Sequence, residues 1–149
     1  LGHSFEILTP EDRGVLSKLT PVILAEALPE STEDRELAVK EVIVGWDIAV
    51  SGLPPLTQHE IRKLFSVLDS NFMLSLTPRL LTGVPGAWDD PSEIEFFLNT
   101  WRLSDPESLL TGNELRVGYM GMVEITMASW YANKRSWDFC GYAGPPVLY

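Results

Sequence analysis

The chain has 149 residues, of which 45% are hydrophobic and 10% aromatic, and its net charge is −10. This length and composition predict a single globular domain that covers residues 1–149. The acidic balance excludes nucleic acid as a partner, because phosphate binding needs a basic patch and the eleven Lys and Arg residues form none.

The first helical segment follows Thr9, which is placed to cap a helix with Pro10 at its first position. Pro21 lies inside this segment and predicts a kink or a break, because proline removes a backbone donor. Pro29 ends the segment. Its apolar residues recur at helical spacing and are Val15, Leu16, Leu19, Val22, Ile23 and Ala27.

A second helix is predicted to start near Ser31 or Thr32 and to run to Gly52. Apolar residues form two stripes along it, so we expect it to be central and covered on most sides. Its only polar strip consists of Glu36, Lys40 and Asp47.

The third and fourth helices are predicted from capping signals. Thr57 and Glu60 have the spacing of a capping box that opens the third helix. A loop rich in Gly and Pro follows, and Asp90 or Ser92 then caps a short fourth helix. One face of this helix is apolar and carries Ile94, Phe97, Leu98 and Trp101.

The fifth helix is predicted from about Glu114 to Tyr131, and this stretch is too short and too polar to span a bilayer. Gly118 and Gly121 weaken it, which is tolerable if another backbone approaches closely there. We find no period-two alternation that indicates a strand. The predicted fold is therefore an all-α bundle of about five helices with an irregular tail over residues 132–149. One face of the fifth helix holds Tyr119, Met122, Val123, Thr126, Met127 and Trp130.

The sequence carries no motif for catalysis, for a metal or for a cofactor. His59 is expected at the surface and His3 at a mobile terminus, and neither has metal-ligand spacing. The acids from Asp89 to Glu95 fit the start of a helix better than a cation site. Glycine-rich nucleotide fingerprints, haem-attachment motifs and iron–sulfur motifs are all missing from the sequence. We therefore predict that the chain is not an enzyme on its own, and that it holds no catalytic residue, cofactor or metal.

The C-terminal residues are the most informative part of the chain, because six aromatic side chains lie there among Gly and Pro. Such a segment must pack, either on its own domain or on a partner, and both readings are open. For a partner, the candidate interface residues are Trp130, Tyr131, Trp137, Phe139, Cys140, Tyr142, Pro145, Pro146 and Tyr149.

This segment resembles a known family. A Trp-Tyr pair closes a helix and is followed by Asn133, a basic pair, Ser136-Trp137 and Gly-Tyr-x-Gly-Pro-Pro. The pattern is similar to the C-terminus of the gluconate 2-dehydrogenase subunit 3 family, the small non-catalytic subunits of bacterial flavin-dependent dehydrogenase complexes. The opening from Leu8 to Arg13 and the segment from Phe96 to Trp101 also fit the family.

The resemblance implies a function for the chain. The chain would bind and stabilise a large FAD-bearing dehydrogenase subunit of the glucose–methanol–choline type, and a cytochrome c subunit is a further possible partner. Relatives usually carry a twin-arginine export signal, so a chain beginning at Leu1 would be the mature periplasmic form. The alternative is a free-standing helical protein that binds a small apolar ligand at the Met/aromatic surface of the fifth helix.

Cys140 is the single cysteine of the chain, so no internal disulfide can form. It is expected at or near the subunit boundary, where an inter-chain disulfide is possible in an oxidising compartment. The other reading is a buried free thiol that acts as a small hydrophobe.

Overall fold

The computed structural model describes residues 2–69, 90–103 and 112–141, and these residues form six α-helices and no strand. The all-α prediction is confirmed for this part of the chain. The helices are α1 (Pro10–Leu24), α2 (Thr32–Ser51), α3 (Pro55–Asp69), α4 (Pro91–Arg102), α5 (Gly112–Tyr131) and α6 (Lys134–Cys140), with a 3₁₀ turn at Ala25–Ala27 after α1.

The core is a bundle in which α2 lies along α5, and α5 in turn lies along α4. Gly45 permits the close approach of α2 and α5, since a Cβ atom there would lie only 2.8 Å from Cβ of Ser129. Beside this point the buried indole N–H of Trp46 donates to Oγ1 of Thr126 over 3.0 Å. Five aromatic side chains fill the interior: Trp46, Phe65, Phe97, Trp101 and Trp130.

Helix α1 begins as its sequence predicts and ends in an unusual conformation. Thr9 and Asp12 form a capping box, in which each side chain accepts a hydrogen bond from the other residue's backbone N–H. The helix passes through Pro21 and ends at Leu24. The next residue, Ala25, has φ 44° and ψ −114°, a left-handed conformation that a side chain disfavours.

Helix α2 has the predicted bounds, with Ser31 before it and Gly52 after it. The predicted polar strip is wrong at Asp47, whose side chain is 1% exposed, whereas the apolar side chain of Ile48 is 58% exposed. Asp47 is buried because a distant segment of the chain supplies hydrogen-bond donors to it.

Helix α3 begins at Pro55, so the predicted capping box at Thr57 is wrong and Thr57 lies inside the first turn. Proline suits a first helical position because its missing N–H is not needed there. The side-chain amide of Gln58 connects this turn to the end of α2 by donating hydrogen bonds to the backbone carbonyls of Ser51 and Leu53.

Helix α4 confirms its prediction. The side chain of Asp90 caps it by accepting from the N–H of Ser92 over 2.9 Å. All four residues of the predicted apolar face are buried, namely Ile94, Phe97, Leu98 and Trp101.

Helix α5 confirms its predicted face except at Met127, and Tyr119 and Val123 of that face are half-buried. Met122, Thr126 and Trp130 are buried as expected, but Met127 is 43% exposed, since the helix turns this position towards solvent. A Cβ at Gly118 would lie 2.9 Å from the Trp101 ring, so the close approach there involves a side chain rather than a backbone. Gly121 has no such neighbour within 4 Å.

The predicted irregular tail is wrong over residues 134–140, which form α6. Two capping signals explain this helix: the side chain of Asn133 accepts from the N–H of Arg135, and Gly141 ends the helix at φ 77°. The first part of the tail is thus a helix packed on α5.

Candidate partner interface

Helix α5 presents an apolar face to solvent. The apolar residues of this face recur at helical spacing along α5, and Glu124 lies among them. Each of their side chains is more than two-fifths exposed, which is unusual for several large apolar residues on one helix face. We call this surface the α5 face, and it consists of Val117, Met120, Met127 and Tyr131.

Helix α6 brings two more candidate residues to the end of the α5 face. The indole N–H of Trp137 donates to the backbone carbonyl of Tyr131 over 2.8 Å, so the Trp137 ring lies beside the end of α5. The Cys140 thiol donates to the carbonyl of Trp137, with sulfur and oxygen 3.8 Å apart. Cys140 is free and exposed, so the reading of this residue as a buried thiol is wrong.

The structure separates the remaining predicted interface residues. Trp130 is 1% exposed, and its ring is part of the bundle's core. Phe139 lies in α6, but its side chain falls outside the described residues. The last four predicted positions lie wholly outside the described residues, and they are Tyr142, Pro145, Pro146 and Tyr149.

An ion pair fixes α6 against α2. Nε and Nη2 of Arg135 donate to the two carboxylate oxygens of Glu41, each over 3.0 Å, and the amide of Asn133 donates to the same carboxylate. Burial alone would raise the pKa of Glu41, but the hydrogen bonds from Arg135 and Asn133 outweigh it and lower that pKa. Bidentate Arg–carboxylate pairs are geometrically specific. The candidate residues of α6 are therefore held in one position relative to the bundle.

A second carboxylate fixes the N-terminal segment. This contact was not predicted from the sequence. Oδ1 of Asp47 accepts from the N–H groups of Ile7 and Leu8, both over 2.9 Å. Oδ2 accepts from the N–H of Glu6 over 3.0 Å and contacts Nε2 of His3 over 2.9 Å. The prediction of a mobile terminus at His3 is wrong, since its ring is tied to this carboxylate. We call this arrangement the Asp47 clamp.

The Asp47 clamp explains how an acid survives burial. Burial alone would raise the pKa of Asp47, but the N–H donors of Leu8, Glu6 and Ile7 and the His3 ring together lower that pKa to about 2. The clamp therefore holds a carboxylate that is charged at neutral pH. Its donors are almost all backbone groups, and this leaves no signature in the side-chain sequence.

A third carboxylate links α1 to α3. Asp12 is 0% exposed, accepts from the Thr9 N–H and forms an ion pair with Arg62. The guanidinium of Arg62 also lies 5.6 Å from the centre of the Phe65 ring. Asp12 and Asp47, the two buried carboxylates among the described residues, and the half-buried Glu41 all bind groups of the chain itself, which fits structural roles for them.

Among the residues that the structure describes, no group of three or more His, Cys, Asp and Glu side chains is arranged to hold a metal ion. Asp90, a member of the acidic group considered from the sequence, uses its carboxylate to cap α4. Across the same described ranges, no helix is both long and apolar enough to cross a membrane.

What these residues can do chemically is bind another surface. The α5 face offers apolar area, α6 adds an exposed thiol and a half-buried indole, and the Glu41 ion pair holds α6 in place. Comparison of the chain with protein-family models, with curated proteins and with solved structures found no match, so the family resemblance of the C-terminal residues stays a prediction.

Proposed function

We propose that this chain is a non-catalytic small subunit that binds and stabilises a flavin-dependent alcohol or sugar dehydrogenase subunit. The partner would hold FAD and belong to the glucose–methanol–choline type, and a cytochrome c subunit would take its electrons. Export of the folded pair by the twin-arginine route would place the complex in the periplasm. The FAD-bearing partner, the cytochrome c subunit and the export route are proposed from the resemblance of the C-terminal residues to the gluconate 2-dehydrogenase subunit 3 family.

The α5 face is the observation that carries this proposal. Apolar side chains at the centre of an interface contribute most of the binding free energy, and Met and Tyr are enriched at such centres. Burying apolar area contributes about 25 cal/mol per Å² before the ordering of side chains and the loss of free motion are subtracted. The α5 face is already ordered by its helix, so little further ordering is needed on binding.

The experiment is a capture assay with a flavin-dependent dehydrogenase large subunit of the glucose–methanol–choline type. The two proteins are co-expressed, the tagged small chain is purified, and bound flavin is read from its visible absorbance. We expect a 1:1 complex with one FAD, and no flavin when the small chain is purified alone. A stable monomer that captures no flavoprotein would contradict the proposal.

Charge substitution on the α5 face makes the test specific. Met120→Lys and Met127→Lys keep good helix formers at exposed positions, so the fold is expected to survive. The matched control is Leu56→Lys, which changes a 74% exposed apolar residue on α3. We expect the α5 variants to weaken capture at least tenfold and the control to leave it unchanged. Equal loss in all three variants would show that the α5 face is not the interface.

An inter-chain disulfide through Cys140 is a more specific form of the same proposal. An exposed thiol on a segment that docks can pair with a partner cysteine in an oxidising compartment. Non-reducing electrophoresis of the complex should then show one band that dithiothreitol splits in two. Two bands without reductant would leave Cys140 as an unpaired thiol at the boundary.

The second candidate function is binding of a small apolar ligand. A pocket of about 300 Å³ lies between α1, α4 and α5, and Ile23, Leu98, Tyr119 and Val123 are among the residues that line it. Met120 and Met127 lie on the exposed side of α5 and are not among the lining residues, which favours the docking function for them. Saturating decanol that raises the melting temperature of the isolated chain would support the ligand function instead.

A further inference from the structure

A groove on a different side of the bundle has the features of a binding surface. It has a volume of about 730 Å³ and lies where the end of α1 and the 3₁₀ turn meet the starts of α2 and α4. The smaller pocket beside it is also lined by Val22 and Glu95, so the two are continuous at these residues. None of the α5-face residues lines the groove. Binding in the groove is therefore independent of the docking function proposed for the α5 face.

The floor of the groove is apolar. Pro21, Val22, Leu28 and Pro91 supply it, and Leu28 is anchored in the core with 1% exposure. Two prolines and a core leucine make a floor whose shape changes little, because proline fixes its own backbone angle and core side chains are closely packed. A rigid apolar floor favours an apolar side chain of a ligand over water.

The rim of the groove is acidic. Glu26, Glu30 and Glu95 are exposed, and none of them forms an ion pair with any described residue. Arg35 is the cation among the described lining residues, and its Nη1 donates to the carbonyls of Ala25 and Pro29 over 3.2 and 3.4 Å. Three carboxylates against one guanidinium leave the rim with a net negative charge, which favours cations.

Backbone strain at the wall of the groove is an independent observation. Ala25 lines the groove and has φ 44° and ψ −114°, which a residue with a Cβ adopts only when its surroundings hold it there. Two contacts hold it: its N–H donates to the carbonyl of Pro21, and its carbonyl accepts from Arg35. Strained residues cluster at ligand-binding positions, so the strain points to this wall as a functional surface.

We propose that this groove binds a basic segment of a partner polypeptide that carries an apolar side chain. The apolar side chain would lie on the floor formed by Val22, Leu28 and Pro91. Lys or Arg residues on either side of it would pair with Glu26, Glu30 and Glu95. An open groove of this size accommodates a few residues of a peptide, and the charge of its rim selects against acidic segments.

The test uses the full chain and a defined probe. The probe is an acetylated twelve-residue peptide of Leu and Lys at helical spacing, and its acidic counterpart has Glu in place of each Lys. Binding is followed by amide chemical shifts of the labelled protein and by fluorescence anisotropy at two salt concentrations. We expect the basic peptide to shift amides around Val22, Ala25 and Glu95, and the acidic peptide to shift none of them.

Two matched triple variants separate the groove from general charge attraction. One carries Glu26→Gln, Glu30→Gln and Glu95→Gln, and the control carries Gln in place of three exposed acids that do not line the groove, Glu6, Glu11 and Glu36. Both raise the net charge of −10 by three. Three exposed ion pairs contribute about tenfold in affinity, so we expect roughly a tenfold loss in the groove variant and less than a twofold loss in the control.

Three results would overturn the proposal. The first is equal loss in both triple variants, which would mean attraction by net charge alone. The second is binding of a neutral Leu/Gln peptide as tight as that of the basic one, which would mean an apolar pocket without charge selection. The third is a set of shifted amides confined to α5 and α6. Melting curves of both variants by circular dichroism confirm that any loss of binding comes from a folded chain.

Discussion

The Asp47 clamp makes the most demanding prediction about the stability of this chain. Asp47→Asn keeps the size of the side chain but replaces one acceptor oxygen by an NH₂ group. Oδ1 of Asp47 accepts from two backbone N–H groups, and Oδ2 accepts from one and contacts Nε2 of His3, so in either orientation of the Asn side chain at least one backbone N–H faces an NH₂ group. A hydrogen bond to a charged group contributes about 1.5–3 kcal/mol, and the loss falls on a side chain that is 1% exposed.

The lowered pKa gives a second measure of the same interaction. A shift from 3.8 to about 2 corresponds to about 2 kcal/mol of stability from the carboxylate at neutral pH. Because the folded pKa is depressed, this contribution is complete above the unfolded value and is lost as pH falls through the folded value. The window is therefore from about pH 4 to about pH 2. Taken with the backbone N–H that Asn leaves unpaired, we expect Asp47→Asn to cost about 3 kcal/mol at pH 7.

Urea unfolding followed by tryptophan fluorescence measures this cost at pH 7 and at pH 3. The difference between wild type and Asp47→Asn should shrink at pH 3, because Asp47 is then mostly protonated in the unfolded chain while still mostly charged in the folded one, so part of its contribution to stability is lost. Glu36→Gln, at an exposed position of the same helix, is the matched control and should change stability by less than about 0.5 kcal/mol. A cost for Asp47→Asn no larger than that of the control would refute the reasoning.

Three further substitutions test the packing and the backbone strain, and one reagent tests the exposure of Cys140. Gly45→Ala should lower stability by about 1–3 kcal/mol, because its Cβ would lie 2.8 Å from Cβ of Ser129. Gly121→Ala has no neighbour within 4 Å and should raise stability by about 1 kcal/mol. Thermal melts of the two variants measure both changes. Ala25→Gly should raise the melting temperature, since glycine tolerates φ 44° and relieves about 1–3 kcal/mol of strain, and a lower melting temperature would contradict the strain. Ellman's reagent should titrate the exposed Cys140 thiol in the native chain without denaturant, and slow reaction that denaturant speeds would contradict its exposure.

The sequence predicts the helices well where their signals are local. Thr9, Ser31 and Asp90 mark the starts of α1, α2 and α4, and the apolar face of α4 follows from spacing alone. Helix α6 was missed although Asn133 and Gly141 are ordinary cap residues, because the aromatic, Gly and Pro content around them suggested an irregular tail.

Non-local contacts account for the features that the sequence did not predict. Asp47 and its donors are separated by 39 to 44 residues, and an acid within a helix ordinarily faces solvent. The Glu41–Arg135 pair spans 94 residues, and no spacing rule connects such positions. Which side of α5 faces solvent depends on how α2 and α4 pack on it, so Met127 was assigned to the wrong face.

Helix α2 holds both ends of the described chain. Asp47 fixes the segment before α1, and Glu41 fixes the segment after α5, six positions away along the same helix. At 1.5 Å per residue these two anchors are about 9 Å apart along the helix axis. A circular permutant that joins Tyr149 to Leu1 by a flexible linker and opens the chain at Gly52, between α2 and α3, should therefore keep both anchors and fold. The order of the helices along the chain would change, while α2 would still be the element on which both anchored segments converge.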